Sequence, residues 1–179
     1  MTVAGPCGPV PRTAPPRQAK AIALLRIAFG VIWAVDAALK WLPSFAPRTM
    51  MDELEEASAG QPAPVQAWIG AWMRLLEFNP DVFGMLLALA ETAIAVGLLG
   101  GAFTTAVCAA GGALSLMIWS TGEGFGGPYG DGATDVGASL VYVPLFAVLA
   151  VIGAGGTWGV DRWLQPRLGR LGWLSSRPA

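Results

Sequence analysis

The chain has 179 residues, 54% hydrophobic and 13% charged, with a formal net charge of −1 and no histidine. A chain of formal net charge near zero is not expected to offer a surface for nucleic acid. Lack of histidine removes the commonest haem and metal ligand and the usual proton shuttle near neutral pH, so neither a haem nor a metal site is expected and any redox centre belongs to another component.

The apolar residues come in blocks of membrane length rather than amphipathic stripes, which predicts one all-α integral membrane domain over residues 21–158. Residues 1–20 are proline-rich and hold no apolar run, the composition of a disordered cytoplasmic tail. Ala21–Leu42 follows as the first span and an uncleaved signal anchor. Ser44-Phe45-Ala46 imitates a cleavage site, but the apolar block before it exceeds the usual h-region of about 7–15 residues.

This first span carries Arg26, Asp36 and Lys40. At about 100° per residue, Arg26, Gly30, Trp33, Ala37 and Lys40 share one arc, with Asp36 at its edge. The opposite flank, with Ile27, Val31 and Val35, is free to meet lipid. An element of this kind turns its charged side into a bundle.

Pro43 to Asp81 is a long polar connection with the acidic run Asp52, Glu53, Glu55 and Glu56. Near its end Val65, Trp68, Ile69, Trp72, Leu75 and Leu76 recur at helical spacing, which predicts an extracytoplasmic amphipathic helix at the membrane interface. Val82–Leu99 is the second span, with Glu91 near its middle. Ala102–Trp119 is the third, and the short Gly100-Gly101 link makes the two antiparallel neighbours. Small residues at every fourth position (Ala93, Gly97 and Gly101; Ala109 and Ala113) read as close helix packing. The fourth span, Ala138–Ala154, contains Pro144, where a kink is expected. Residues 159–179 form a basic tail. Cys7 and Cys108 make neither a C-x-x-C nor a disulfide framework, and Cys108 reads as a packing residue.

Basic residues cluster in the two tails, so the positive-inside rule places both termini in the cytoplasm of a multi-pass cell-membrane protein. Counting about 1.5 Å per residue from the outer boundary, Lys40 lies roughly 3 Å deep, Asp36 about 9 Å, Glu91 about 14 Å and Arg26 about 24 Å. Glu91 therefore sits between two cations. It can pair toward Lys40 through Asp36, or toward Arg26, and an isolated ionised glutamate at that depth would be costly. The outward segment 121–137 lacks a Walker lysine and calcium-loop spacing. It offers Glu123 and Asp135 as anchors, Asp135 also being a candidate cap for the fourth span. Tyr142, two turns further, falls near Asp36 and Lys40 in depth. Together these residues outline an outward-opening polar pocket.

The segments LLRIAFGVIWAVDAALKW (Arg26, Gly30, Lys40), ETAIAVGLLGG (Glu91, Gly97) and GEGFGGPYGDGATDVG with Tyr142 beyond it give the chain a resemblance. In their order and spacing they resemble the DoxX family of small four-helix membrane proteins. The likeness is nearer to the branch related to the DoxD subunit of thiosulfate:quinone oxidoreductase, and it covers roughly residues 21–155. Asp36 departs from the small residue of the general DoxX pattern, which favours the DoxD-like branch. The resemblance implies a membrane subunit linked to sulfur or thiol oxidation and to quinone, beside a second protein subunit.

On that reading Glu91 accepts or relays a proton, Lys40 and Arg26 hold charge, and Trp33 lines an aromatic site. Partners beyond the lipid bilayer are the second subunit or further copies of this chain. The competing expectation is a non-catalytic scaffold or small-solute carrier whose charges only fix helix packing.

Overall fold

A computed structural model describes residues 16–42, 47–129 and 135–176; residues 1–15 of the expected tail, the Ser44-Phe45-Ala46 sequence and Asp131 lie outside them. The chain is helical, with no β-strand among the described residues. In order the helices are α1 (Pro16–Lys40), α2 (Pro47–Ser58), α3 (Ala63–Leu76), α4 (Pro80–Gly100), α5 (Thr104–Ser120), α6 (Ala138–Val151) and α7 (Asp161–Leu164). One 3₁₀ turn, Gly124–Gly126, precedes α6, and two more, Gln165–Arg167 and Gly169–Leu174, follow α7.

Proline marks where several helices begin, because its fixed φ suits a first turn whose N–H groups have no intrahelical partner. Pro16 and Pro47 open α1 and α2, Pro64 lies in the first turn of α3, and Pro80 opens α4 behind an Asn79 cap. The Asn79 side chain accepts a hydrogen bond from the Val82 N–H at 3.3 Å. Helix α1 thus starts inside the segment expected to be a tail, since Arg17, Gln18, Ala19 and Lys20 are good helix formers once Pro16 has set the first turn.

Two helices, Arg17–Lys40 and Pro80–Gly100, are long and apolar enough to cross a membrane, whereas Thr104–Ser120 and Ala138–Val151 are apolar but shorter. Helix α1 lies along α4 and α5 along α6, and α4 also touches α5. Their shared core holds Phe29 and Trp33 of α1, Ile94 and Leu98 of α4, Cys108 of α5, and Phe146 and Leu149 of α6.

The small residues act more selectively than their spacing predicts. Gly97 lies against Val107, Gly30 against Leu98 and Leu99, and Gly111 against the Phe146 ring. By contrast Ala93, Ala109 and Ala113 face outward. The buried line of α5 runs instead through Thr104, Cys108, Gly111 and Ser115.

The connection between the first two long helices also differs from expectation. It contains two helices, not one, because Met50, Leu54 and Ala57 give the acidic segment an apolar edge at helical spacing. Met50 and Leu54 of α2 pack with Ile69 of α3, against Phe83 and Leu87 of α4. On α3, Ile69 is buried, Val65, Trp72 and Leu76 are half-buried, and Trp68 and Leu75 stay exposed. The C-terminal segment is likewise no loose extension: Asp161, Ser175 and Ser176 are buried against the helix ends.

Candidate functional site

Glu91 is a buried carboxylate on the inner side of the helices. Helix α4 carries it on its inward face in line with Ala88, Ile94 and Ala95, and it is 3% exposed. Its Oε2 atom has no hydrogen-bond partner. Of the two pairings the sequence allows, the fold selects the outer one, since Glu91 interacts electrostatically with Lys40 and Asp36.

Glu91 lines a cavity of about 330 Å³ enclosed by α4, α5, the end of α1 and the α2–α3 hairpin. Most of the wall is apolar, with Leu54, Trp72, Phe83 and Met117 among the larger contributors. Lys40, Glu53 and Thr121 supply its other polar groups. Known ligand sites span about 300–1,000 Å³ and combine apolar walls with a few placed polar groups. This cavity is at the small end of that range. Asp36, half-buried on α1, is one turn from Lys40 and stands behind the site.

Trp33 and Tyr142 lie in a packed aromatic cluster rather than on the wall of that cavity. Trp33 is 6.1 Å from Tyr142, 6.3 Å from Phe29 and 5.4 Å from Phe146, centroid to centroid. The buried Trp33 Nε1 has no hydrogen-bond partner. Tyr142 is half-buried and interacts electrostatically with Asp36 and Glu123. The cluster thus borders the Asp36 side of the site without opening into it.

Arg26 and Glu123 serve helix ends. The Arg26 guanidinium, fully buried, donates to the Leu98 carbonyl at 2.8 Å and to the Trp158 carbonyl at 3.0 Å. A cation suits the C-terminus of α4, where carbonyls lack intrahelical donors and the helix dipole is negative. Gly101, left-handed at φ 60°, leaves the room the guanidinium needs. Arg26 therefore belongs to the opposite end of α4 from Lys40 and takes no part in the Glu91 cavity.

Glu123 accepts from the Ser139 N–H at 3.2 Å and from the Ser139 hydroxyl at 2.8 Å, which caps the N-terminus of α6 from outside that helix. Asp135 does not cap α6 directly. Its carboxylate accepts from the Gly137 N–H at 3.1 Å, shaping the turn just before it.

Asp161 carries a role that composition concealed. Fully buried, it accepts from the N–H groups of Phe103 at 2.7 Å and Thr104 at 2.9 Å, capping α5, and from the Ser176 N–H at 2.8 Å. It also interacts electrostatically with Arg26. The signal available in the sequence was a lone acid among the arginines of residues 158–176. No three of the described Asp, Glu and Cys side chains converge as metal ligands.

No family model matches the chain, and no curated protein or solved structure does either. The functional reading therefore rests on the site itself and on the resemblance drawn from its motifs.

Proposed function

We propose that this chain is a multi-pass protein of the cell membrane, with α1, α4, α5 and α6 forming a four-helix bundle and both termini cytoplasmic. What supports the membrane reading is an inverted polarity. Arg26, Glu91, Thr104, Ser115 and Asp161 are buried, while Leu24, Val31 and Val35 of α1, Leu86, Leu89 and Val96 of α4, and Val141 and Val148 of α6 are exposed. Only 33% and 39% of the apolar windows of α1 and α4 are buried within the chain. In water such outer faces would be an aggregation hazard; in hydrocarbon they are the solvated surface.

Within that setting we infer a quinone-interacting subunit of an oxidoreductase complex of the DoxX family, DoxD-like branch, linked to sulfur or thiol oxidation and working beside a second subunit. The observation that carries this reading is the buried Glu91 Oε2, without a hydrogen-bond partner, on a largely apolar cavity between the α2–α3 hairpin and helices α4 and α5. The cavity suits a flat apolar ring with polar oxygens. A quinone carbonyl accepts a hydrogen bond and a quinol hydroxyl donates one, so a carboxyl that gains and loses a proton serves both forms. Glu91 would hold the ring oxygen and the proton, Lys40 and Asp36 would set the local charge, and Trp72 and Phe83 would supply flat walls. Electrons come from the partner subunit's cofactor.

The test is mass spectrometry of the protein purified from its host in mild detergent, comparing wild type with Glu91→Gln. The expected result is co-purifying quinone and a second polypeptide for wild type, with quinone lost and the polypeptide kept in the variant. A preparation carrying neither would refute the subunit reading.

The scaffold reading has its own support, because Arg26, Asp161 and Glu123 are all occupied in capping helix ends. It predicts that Glu91→Gln lowers folded yield in step with any lost activity.

A further inference from the structure

The described charges separate by end of the molecule. No acidic residue precedes Asp36 in the sequence, and Asp161 is the one acid among residues 158–176. That acid is turned inward and consumed by backbone N–H groups. The outward charge at this end is therefore cationic throughout, from Arg162, Arg167 and Arg170 on the C-terminal segment and Arg17 and Lys20 on the first turns of α1, all exposed.

The same segment exposes Trp158, Trp163 and Trp173 by 51%, 55% and 67%. Arg162 lies over the Trp163 ring at 3.9 Å from its centroid, and Arg167 donates to the Trp163 carbonyl at 3.1 Å. The segment is anchored where the long helices end. The Val160 and Asp161 N–H groups donate to the Gly100 and Gly101 carbonyls at 3.0 and 2.9 Å, and Arg26 holds the Trp158 carbonyl from below. Indole rings prefer the boundary between hydrocarbon and headgroup, and guanidinium pairs with phosphate through a planar fork.

From this arrangement we propose that the C-terminal segment, residues 158–174, is a binding surface for anionic phospholipid headgroups of the adjoining leaflet, with the tryptophans setting depth and the three arginines selecting charge. This rests on the membrane reading. A short segment folded across helix ends and carrying exposed cations of one sign has the charge complement of an acidic leaflet, and its rings share the depth of the acyl boundary.

The experiment uses the full chain, extracted with a non-ionic detergent and exchanged against an equimolar mixture of phosphatidylglycerol and phosphatidylcholine, then read by native mass spectrometry for retained lipid. Wild type is expected to retain phosphatidylglycerol over phosphatidylcholine by roughly threefold or more, and the R162Q/R167Q/R170Q variant to lose that preference. R162K/R167K/R170K keeps the charge and is expected to keep most of the preference, as is Arg74→Gln at the opposite end. Equal retention of the two lipids by wild type, or an unchanged preference in the Gln variant, overturns the headgroup site while leaving the bundle in the membrane. A chain that stays monodisperse without detergent and retains neither lipid overturns both.

Discussion

Two buried carboxylates in this protein behave oppositely, and the difference lies in their partners. Asp161 receives three backbone N–H groups, so its burial is offset by hydrogen bonds that also satisfy donors of α5 and the C-terminal segment. Asp161→Ala would orphan those donors beside a buried guanidinium. The expected loss is on the order of 3–5 kcal/mol, or failure of the protein to accumulate, read by thermal unfolding in detergent. Glu91 keeps one buried oxygen, Oε2, without a hydrogen-bond partner, and its electrostatic neighbours are Lys40 and Asp36. Glu91→Leu removes that oxygen but also a carboxylate neighbour of Lys40, so stability is expected to stay within about 1 kcal/mol of wild type while quinone retention is abolished. A drop of about 2 kcal/mol or more would instead make Glu91 a packing group, as the scaffold reading requires. Sequence position identified Glu91 as buried and polar, but it could not tell a carboxylate with both oxygens hydrogen-bonded from one with an oxygen left over. That distinction depends on groups far away in the chain, as Phe103 and Ser176 are from Asp161.

At the level of elements, the pairing of helices turns on where small residues meet large ones. Gly111 faces the Phe146 ring so closely that a Cβ there would enter it. Gly84, also in a long apolar helix, has nothing within 4 Å of a Cβ. Gly111→Ala is therefore expected to cost about 1–3 kcal/mol by prising α5 from α6, and Gly84→Ala to be neutral or to gain up to about 1 kcal/mol from restricting the unfolded chain. Paired melting curves decide this, and equal effects at both sites would contradict the packing described. Helix α2 shows what periodicity conceals. Its acidic run outweighs Met50 and Leu54 in any hydropathy average, yet those two side chains are enough to dock it on α3 and α4, which gives the cavity its outer wall.

For the whole molecule, the separation of an acidic hairpin end from a cationic C-terminal end predicts a definite arrangement across the membrane. With Cys7 replaced by Ser and Cys108 buried, a membrane-impermeant maleimide should label Gln66→Cys in intact cells and Arg170→Cys only after permeabilisation. Labelling of both in intact cells would refute the proposed topology. Pattern along the chain sufficed to read the all-helical class, the two long apolar helices and the inward arc of α1 through Arg26, Trp33 and Ala37. Those features follow from local periodicity and from the need to satisfy backbone polar groups within one segment. Which polar group meets which was settled only by packing. The seven-residue interval from Leu98 to Asp161's partners at Phe103 and Thr104 looks unremarkable in one dimension, yet in three it gathers Arg26, Trp158 and Asp161 at one helix junction and leaves Glu91 facing a cavity at the other end. Burial makes an unmatched charge expensive, and only the assembled helices determine where a match exists.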